Sequence, residues 1–330
     1  MEIEDAPRLS QVYRSRQVSL DKLIAVSPLM KQMFAHAKSL AASDAPILIL
    51  GETGTGKNLL AQGIHNASRR AAKPYCEVNL GGISETLQEA ELFGHTRGAF
   101  TGAETDREGL LATAKGGTVF LNEVGDTPLS TQKKLLDVLE YKKFRRLGDN
   151  REFETDVRLI GATNRDLAEM RRAGQLRDDF YFRLNVLRIE VPPLRSRPED
   201  IVPLAEFFLK EFSVRECKDV TAIAPGAVDA MRVYGWPGNI RELRYVMWRA
   251  LVSAKGDTIK KEEILGALEP QQKEKQTRAE FVPLEEVERD YIEKVLGHTN
   301  WNKSRAAEVL KISRPALDRK IAAYGLVKPE

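Results

Sequence analysis

The feature that most narrows the folds open to this chain is a short apolar run, ILIL, passing directly into Gly51, Glu52, Thr53, Gly54, Thr55, Gly56, Lys57 and Asn58, after which a helical pattern begins. A GxxxxGK segment between a strand and a helix is the context that makes a phosphate-binding loop credible. The glycines let the backbone wrap an anion so that several N–H groups point inward. The helix N-terminus adds positive potential, and Lys57 supplies a mobile charge for the β- and γ-phosphates of a nucleotide. Asn58 stands where many such loops carry Ser or Thr to hold magnesium, and its amide oxygen can still accept from a metal-bound water.

The surroundings extend this reading. From Ser27 to Pro193, apolar strands at Ile47–Leu50, Tyr75–Asn79, Thr118–Leu121, Val157–Ala162 and Arg188–Val191 alternate with helical segments. That alternation predicts an α/β domain with a parallel sheet sandwiched by helices. After Pro192-Pro193 the strand signal fades, and Asp200–Phe212, Pro225–Tyr234, Asn239–Ser253 and Lys260–Leu268 read as helices of a small all-α subdomain. A polar stretch, EPQQKEKQTRAE, has the composition of a linker, and a last helical unit follows it. The domain expectation is a lead over 1–26, an α/β core over 27–195, a helical lid over 196–268, a linker over 269–282 and a C-terminal unit over 283–330.

Chemistry gathers where strands end. Asn122 and Glu123 close the run GGTVFL, the edge at which open α/β sheets place ligands. The Glu123 carboxylate can polarise an attacking water, and its neighbour can orient hydrated magnesium. Asn164, at the tip of VRLIGAT, can hydrogen-bond water or the γ-phosphate. In LRDDFYFRLNV, Arg177 and Arg183 offer forked donors for a phosphate, including one held by a neighbouring subunit.

These segments together resemble the AAA+ domain of the bacterial sigma-54-dependent transcription activators, with a layout like the phage-shock-type and NtrC-like members. The most specific stretch, ELFGHTRGAFTGA, carries the family's GAFTGA loop intact as Gly98, Ala99, Phe100, Thr101, Gly102 and Ala103. Nearly all of 27–267 follows the family pattern. The resemblance implies a hexameric ring, assembled from dimer to hexamer, with each ATP site and its Mg2+ lying between two subunits. It implies Glu123 as the water-activating carboxylate with Asn79 its switch partner, Asn164 as first sensor, and Arg177 and Arg183 as fingers acting in trans. Arg241, in WPGNIREL, is implied as second sensor on the lid. The loop at 98–103 is implied to engage sigma-54 RNA polymerase holoenzyme; by its residues alone, Phe100 reads by default as a core side chain. Asn122 replaces the family's magnesium-orienting Asp, and Asn58 a residue that is usually Glu. Loss of the first charge is expected to weaken metal binding and slow hydrolysis without abolishing nucleotide binding.

At the C-terminal end, Leu284–Leu296 reads as a helix with Leu284, Val287, Tyr291, Ile292 and Val295 on one face. Trp301–Leu310 gives a second helix, and Ser313 as a cap followed by Pro315 opens a third over Pro315–Ala323. Basic residues outnumber acidic ones here. The trihelical end resembles a Fis-type helix-turn-helix, which implies double-stranded DNA as partner. Its expected contacts are Lys303, Ser304, Arg305, Ser313, Arg314, Arg319 and Lys320, with the domains paired on a two-fold symmetric upstream site. A dimerising three-helix bundle is the alternative.

Length and composition agree with a multi-unit chain: 330 residues, 42% hydrophobic and 30% charged. No apolar run approaches the roughly 20 residues that span a bilayer, the N-terminus has no secretory pattern, and Cys76 and Cys217 have no CxxC partner. A cytoplasmic location without membrane insertion is expected. So is control by a regulatory protein in trans or by assembly, since the short lead leaves no room for a sensory domain and the opening Met favours a full chain. The expected function is a sigma-54-dependent activator whose ATP hydrolysis remodels the closed promoter complex. The alternatives are a DNA-bound nucleotide switch that barely hydrolyses ATP, and a general AAA+ remodeller.

Overall fold

The computed structural model describes residues 10–13, 18–268, 284–299 and 301–326, of which the side chains of 10–13, 284, 286 and 287 lie outside the description. The chain divides into two compact units, Met1–Leu268 and Glu269–Glu330.

In the first unit, six strands form one sheet: β1 (Ser10–Tyr13), β2 (Ile47–Leu50), β3 (Tyr75–Asn79), β4 (Thr118–Asn122), β5 (Arg158–Thr163) and β6 (Leu187–Glu190). Their order is β1-β3-β4-β5-β2-β6. Five run parallel, and β1 pairs antiparallel with β3 at the edge. The edge strand is a departure from the sequence reading, because a four-residue run carrying Ser and Gln lacks the apolar continuity of a strand covered on both faces. The inner strands are largely buried, and all six residues of β5 are buried.

Helices cover both faces. On one side lie α1 (Pro28–Ala41) and α2 (Lys57–Asn66), burying Met30, Ala37, Leu60 and Ile64 against Ile47, Ile49, Phe120 and Ile160. On the other, α3 (Glu85–Phe93), α4 (Leu129–Tyr141) and α5 (Asp178–Leu184) bury Leu92, Phe93, Leu135, Val138 and Phe180 against Leu48, Val78, Val119 and Leu159. The β2 run thus alternates between the two layers, as a pleat with period two requires.

The helical subdomain that follows comprises α6 (Ile201–Arg215), α7 (Pro225–Val233), α8 (Asn239–Ser253) and α9 (Lys261–Leu268). They close over Trp236, which is fully buried and donates its indole N–H to the Met231 carbonyl at 2.8 Å. Asp200, at the head of α6, accepts from the Val26 N–H at 2.6 Å and the Ser27 N–H at 2.8 Å. It also accepts from the Ser27 hydroxyl at 2.9 Å, tying the segment before α1 to the subdomain.

The second unit contains α10 (Leu284–His298), α11 (Lys303–Val309) and α12 (Arg314–Ala323), packed through Ile292, Leu296, Ala306 and Leu317. Three details correct the sequence reading. Tyr291 is 60% exposed, because the buried stripe runs through Ile292, Val295 and Leu296, one helical position round from it. Trp301 has φ +60 and sits in the turn rather than in a helix; α11 starts at Lys303, where the Asn302 side chain caps the Arg305 N–H at 3.2 Å. Ser313 occupies the cap position of α12, but its hydroxyl makes no capping bond. The stretch assigned to a linker, 269–282, lies outside the described residues.

Candidate nucleotide site and the 98–103 loop

Parallel register brings the functional strand ends to one edge. Leu50 pairs with Thr163, Asn122 with Ala162, and Asn79 with Asn122, so Gly51, Asn79, Asn122, Glu123 and Asn164 emerge side by side. From there the 51–56 loop turns into α2. Gly54 has φ +81, and a Cβ there would lie 2.3 Å from the Gly238 carbonyl oxygen, so only glycine lets the loop meet the start of α8.

Around this loop, Thr53, Gly54, Gly56, Lys57, Asn58, Leu59, Asn122, Glu123 and Arg241 line a cavity of about 250 Å³. Lys57 donates from Nζ to the Gly51 carbonyl at 2.8 Å and the Glu52 carbonyl at 3.2 Å. Burial pushes its pKa down, the Glu123 carboxylate opposes that, and Arg241 adds to it. Glu123 has φ +56, a left-handed conformation rare for a residue with a side chain, and such strain collects at working sites. Asn164 donates from Nδ2 to the Thr53 hydroxyl at 2.9 Å, and Asn79 accepts the Gly81 N–H at 3.1 Å. Arg177 is paired with Asp179 at 2.7 Å and Arg183 with Glu140 at 2.8 Å. Neither arginine lines this chain's own cavity.

Two features escaped the sequence reading. An apolar cavity of about 180 Å³, lined by Leu23, Ile24, Leu59, Leu204 and Ile240, touches the same loop at Thr55 and Gly56. Arg197, almost wholly buried beside it, donates to the Thr55 carbonyl at 3.1 Å. The second feature is a cluster around Glu52. Arg195 grips the carboxylate with Nη1 and Nη2 at 2.8 and 2.5 Å, and Asn239 donates to it at 3.0 Å. The Arg195 hydrogen bond is the main reason its pKa falls to about 2, with Asn239 second. These residues are scattered along the chain, so no local pattern could reveal them.

The 98–103 segment is the tip of an insertion closed by a two-residue antiparallel pairing of Gly94–His95 with Arg107–Glu108. Gly98 and Gly102 both have positive φ, and the turn closes through Gly98 N–H to the Ala103 carbonyl at 2.8 Å. Phe100 packs edge-on to His95, with ring centroids 5.0 Å apart, while Thr101 and Gly102 are exposed. At its base, the Thr96 N–H bonds to the Leu147 carbonyl at 2.9 Å. Phe100 is thus only half-buried, not a core residue.

In the second unit, Lys303 pairs with Asp318 at 2.8 Å and Lys320 with Glu288 at 2.6 Å. Arg314 donates to Ser304 at 3.3 Å, and Arg319 to the Pro315 carbonyl at 3.4 Å. The lysines named as DNA contacts are therefore engaged within their own unit.

A phosphate loop on an inner parallel strand, polar strand tips beside it and a helical lid that contributes Arg241 define an AAA+ P-loop ATPase. Residues 23–190 match the Sigma-54 interaction domain family, 195–281 the AAA+ ATPase lid domain, and 283–324 the Fis family of bacterial regulatory proteins. The chain is 43% identical over 300 residues to the transcriptional regulatory protein ZraR of Salmonella typhi, covering 91% of this chain and 68% of that protein. It is 42% identical over 316 residues to the regulatory protein AtoC of Escherichia coli K12, covering 92% and 68%. The structure resembles NtrX from Brucella abortus in complex with ADP, with TM-score 0.74, 32% identity and coverage of 94% and 70%. The chain belongs to the sigma-54-dependent transcription activators, with an AAA+ domain, its lid and a Fis-type helix-turn-helix. Among the described residues no helix is long and apolar enough to cross a membrane.

Proposed function

We propose that this chain binds ATP in the cavity at 51–58, hydrolyses it in a ring of its own copies, and uses the 98–103 loop to remodel sigma-54 RNA polymerase at promoters. The helix-turn-helix would hold it on upstream double-stranded DNA. The observation that carries the reading is the convergence of Lys57, Glu123, Asn122 and Arg241 on one cavity beside an apolar pocket, a pairing that suits a triphosphate joined to a flat base.

In this reading the inward N–H groups of 51–57 and the Lys57 ammonium hold the phosphates. Glu123 takes the proton of the attacking water, and Asn164 orients that water or the γ-phosphate. Asn79 restrains Glu123 until the γ-phosphate is seated. Arg241 reaches the phosphates from the lid, and Arg177 and Arg183 serve the site of the adjacent subunit, consistent with their absence from this chain's own cavity. Among the described residues no cluster of three His, Cys, Asp or Glu could cage a metal. The donors present fit a magnesium ion that keeps its waters, held through Asn58 and Asn122 and by the nucleotide's oxygens. When bound, that ion neutralises charge developing on the phosphates.

A second reading rests on Asn122: with a neutral amide where the family has a carboxylate, the chain serves as a DNA-bound nucleotide switch that scarcely turns over. Steady-state ATPase of the wild type beside Asn122→Asp decides between them. The motor reading expects measurable turnover in the wild type and a rise of about tenfold in the variant; a silent wild type rescued by the variant supports the switch.

A further inference from the structure

Asn58 is bonded to a residue that no motif points to. Its Nδ2 donates to Glu77 Oε1 at 2.6 Å, from the first turn of α2 to the middle of β3. Glu77 is half-buried and shares a strand face with Asn79 two residues on, while Asn58 itself lines the phosphate cavity, which Glu77 does not. An ionised carboxylate only accepts hydrogen bonds, so it takes the nitrogen side of the amide. The planar amide then turns its oxygen away from β3.

From this we infer that Glu77 is a positioning residue for the metal-bound nucleotide, fixing Asn58 so that its Oδ1, an acceptor, rather than its NH2, a donor, is offered to the cavity. The inference rests on the ATP reading above. It matters most in this chain because both polar residues flanking the metal position, Asn58 and Asn122, are neutral amides. A free amide can present either end to a hydrated cation, and only the oxygen end attracts one. Glu77 removes that ambiguity without entering the cavity.

The test is ATP affinity of the full chain, measured by calorimetry in excess EDTA and in excess Mg2+, taking the ratio of the two dissociation constants. Glu77→Met keeps the volume of the buried stem and removes the acceptor; Glu77→Gln keeps an acceptor oxygen. In Glu77→Met the ratio should fall about tenfold, with affinity in EDTA within about twofold of wild type. Glu77→Gln should retain it, Asn58→Ala should reproduce the loss, and Glu77→Met should add nothing in the Asn58→Ala background. A ratio unchanged in Glu77→Met, or lowered equally with and without Asn58, overturns the positioning role while leaving ATP binding intact. Wild-type chain that binds no ATP in either buffer overturns both this role and the ATP reading. Melting curves of each variant identify any that fails to fold, and Asn58→Ala beside Glu77→Gln then carries the comparison: a ratio insensitive to Asn58→Ala equally overturns the role.

Discussion

The Asn239 amide donates to the Glu52 carboxylate at 3.0 Å, so the first residue of the lid helix α8 is bonded directly to the phosphate loop. Asn239 also donates to the Thr53 carbonyl at 3.1 Å and accepts the Leu194 N–H at 2.7 Å. It is fully buried and has φ +52. Its side chain thus joins three segments: loop, lid and the connection between them. Arg241, two residues on, is carried to the cavity by the same helix start, and its backbone N–H bonds to the Gly54 carbonyl at 3.3 Å.

Replacing Asn239 by Ala strands a buried Leu194 N–H and frees the Glu52 carboxylate from one partner. We expect a loss of about 2–3 kcal/mol in unfolding free energy, read by denaturant titration, with weaker ATP binding. Glu52→Gln should be milder. That side chain is 41% exposed and its pair with Arg195 is screened by solvent, so a loss below about 1 kcal/mol is expected. Equal losses in the two variants would contradict the ranking.

Stability should also depend on pH through His65. The imidazole is 2% exposed and bonded through Nδ1 to the Thr118 hydroxyl at 2.9 Å. Burial drives its pKa from 6.5 down to about 4. Between those values the unfolded chain binds the extra proton, so stability rises with pH across the window and is lost as pH falls through it. The contribution is on the order of 1–3 kcal/mol. His65→Gln should flatten the dependence of the thermal midpoint between pH 6.5 and 4 relative to the wild type, and an unchanged slope would contradict this assignment.

Within the helix-turn-helix, Lys303 and Lys320 must leave Asp318 and Glu288 to reach phosphate, whereas Arg319 has no ion pair to break among the described residues. Arg319→Ala should therefore weaken DNA binding more than Lys320→Ala. It should also lower the slope of log affinity against log salt by about 1. Fluorescence anisotropy on a duplex at several salt concentrations measures both.

Local patterns carried much of this molecule. The inner strands could be read because each is a short, mostly apolar run bounded by Gly, Pro or polar residues, and Tyr75–Asn79 and Ile47–Leu50 have the expected bounds. The glycine loop and the strand tips at Asn122 and Asn164 were legible for the same reason: each feature lies within a few residues. What stayed hidden is long-range. Asn58 with Glu77, and Glu52 with Arg195 and Asn239, come together only when the sheet closes and the lid docks. The apolar pocket draws residues from Leu23 to Ile240. Trp301 shows the opposite failure, a helical-looking pattern overridden by a left-handed turn residue.

Nucleotide-dependent engagement of sigma-54 by the 98–103 loop is read by capture of the full chain on immobilised sigma-54, in ADP alone and in ADP with aluminium fluoride. Retention is expected only with the transition-state analogue. In Thr101→Ala that retention should be lost, with ATP binding within about twofold of wild type because Thr101 stands exposed at the loop tip. Capture that ignores the nucleotide, or that survives Thr101→Ala unchanged, would contradict that engagement.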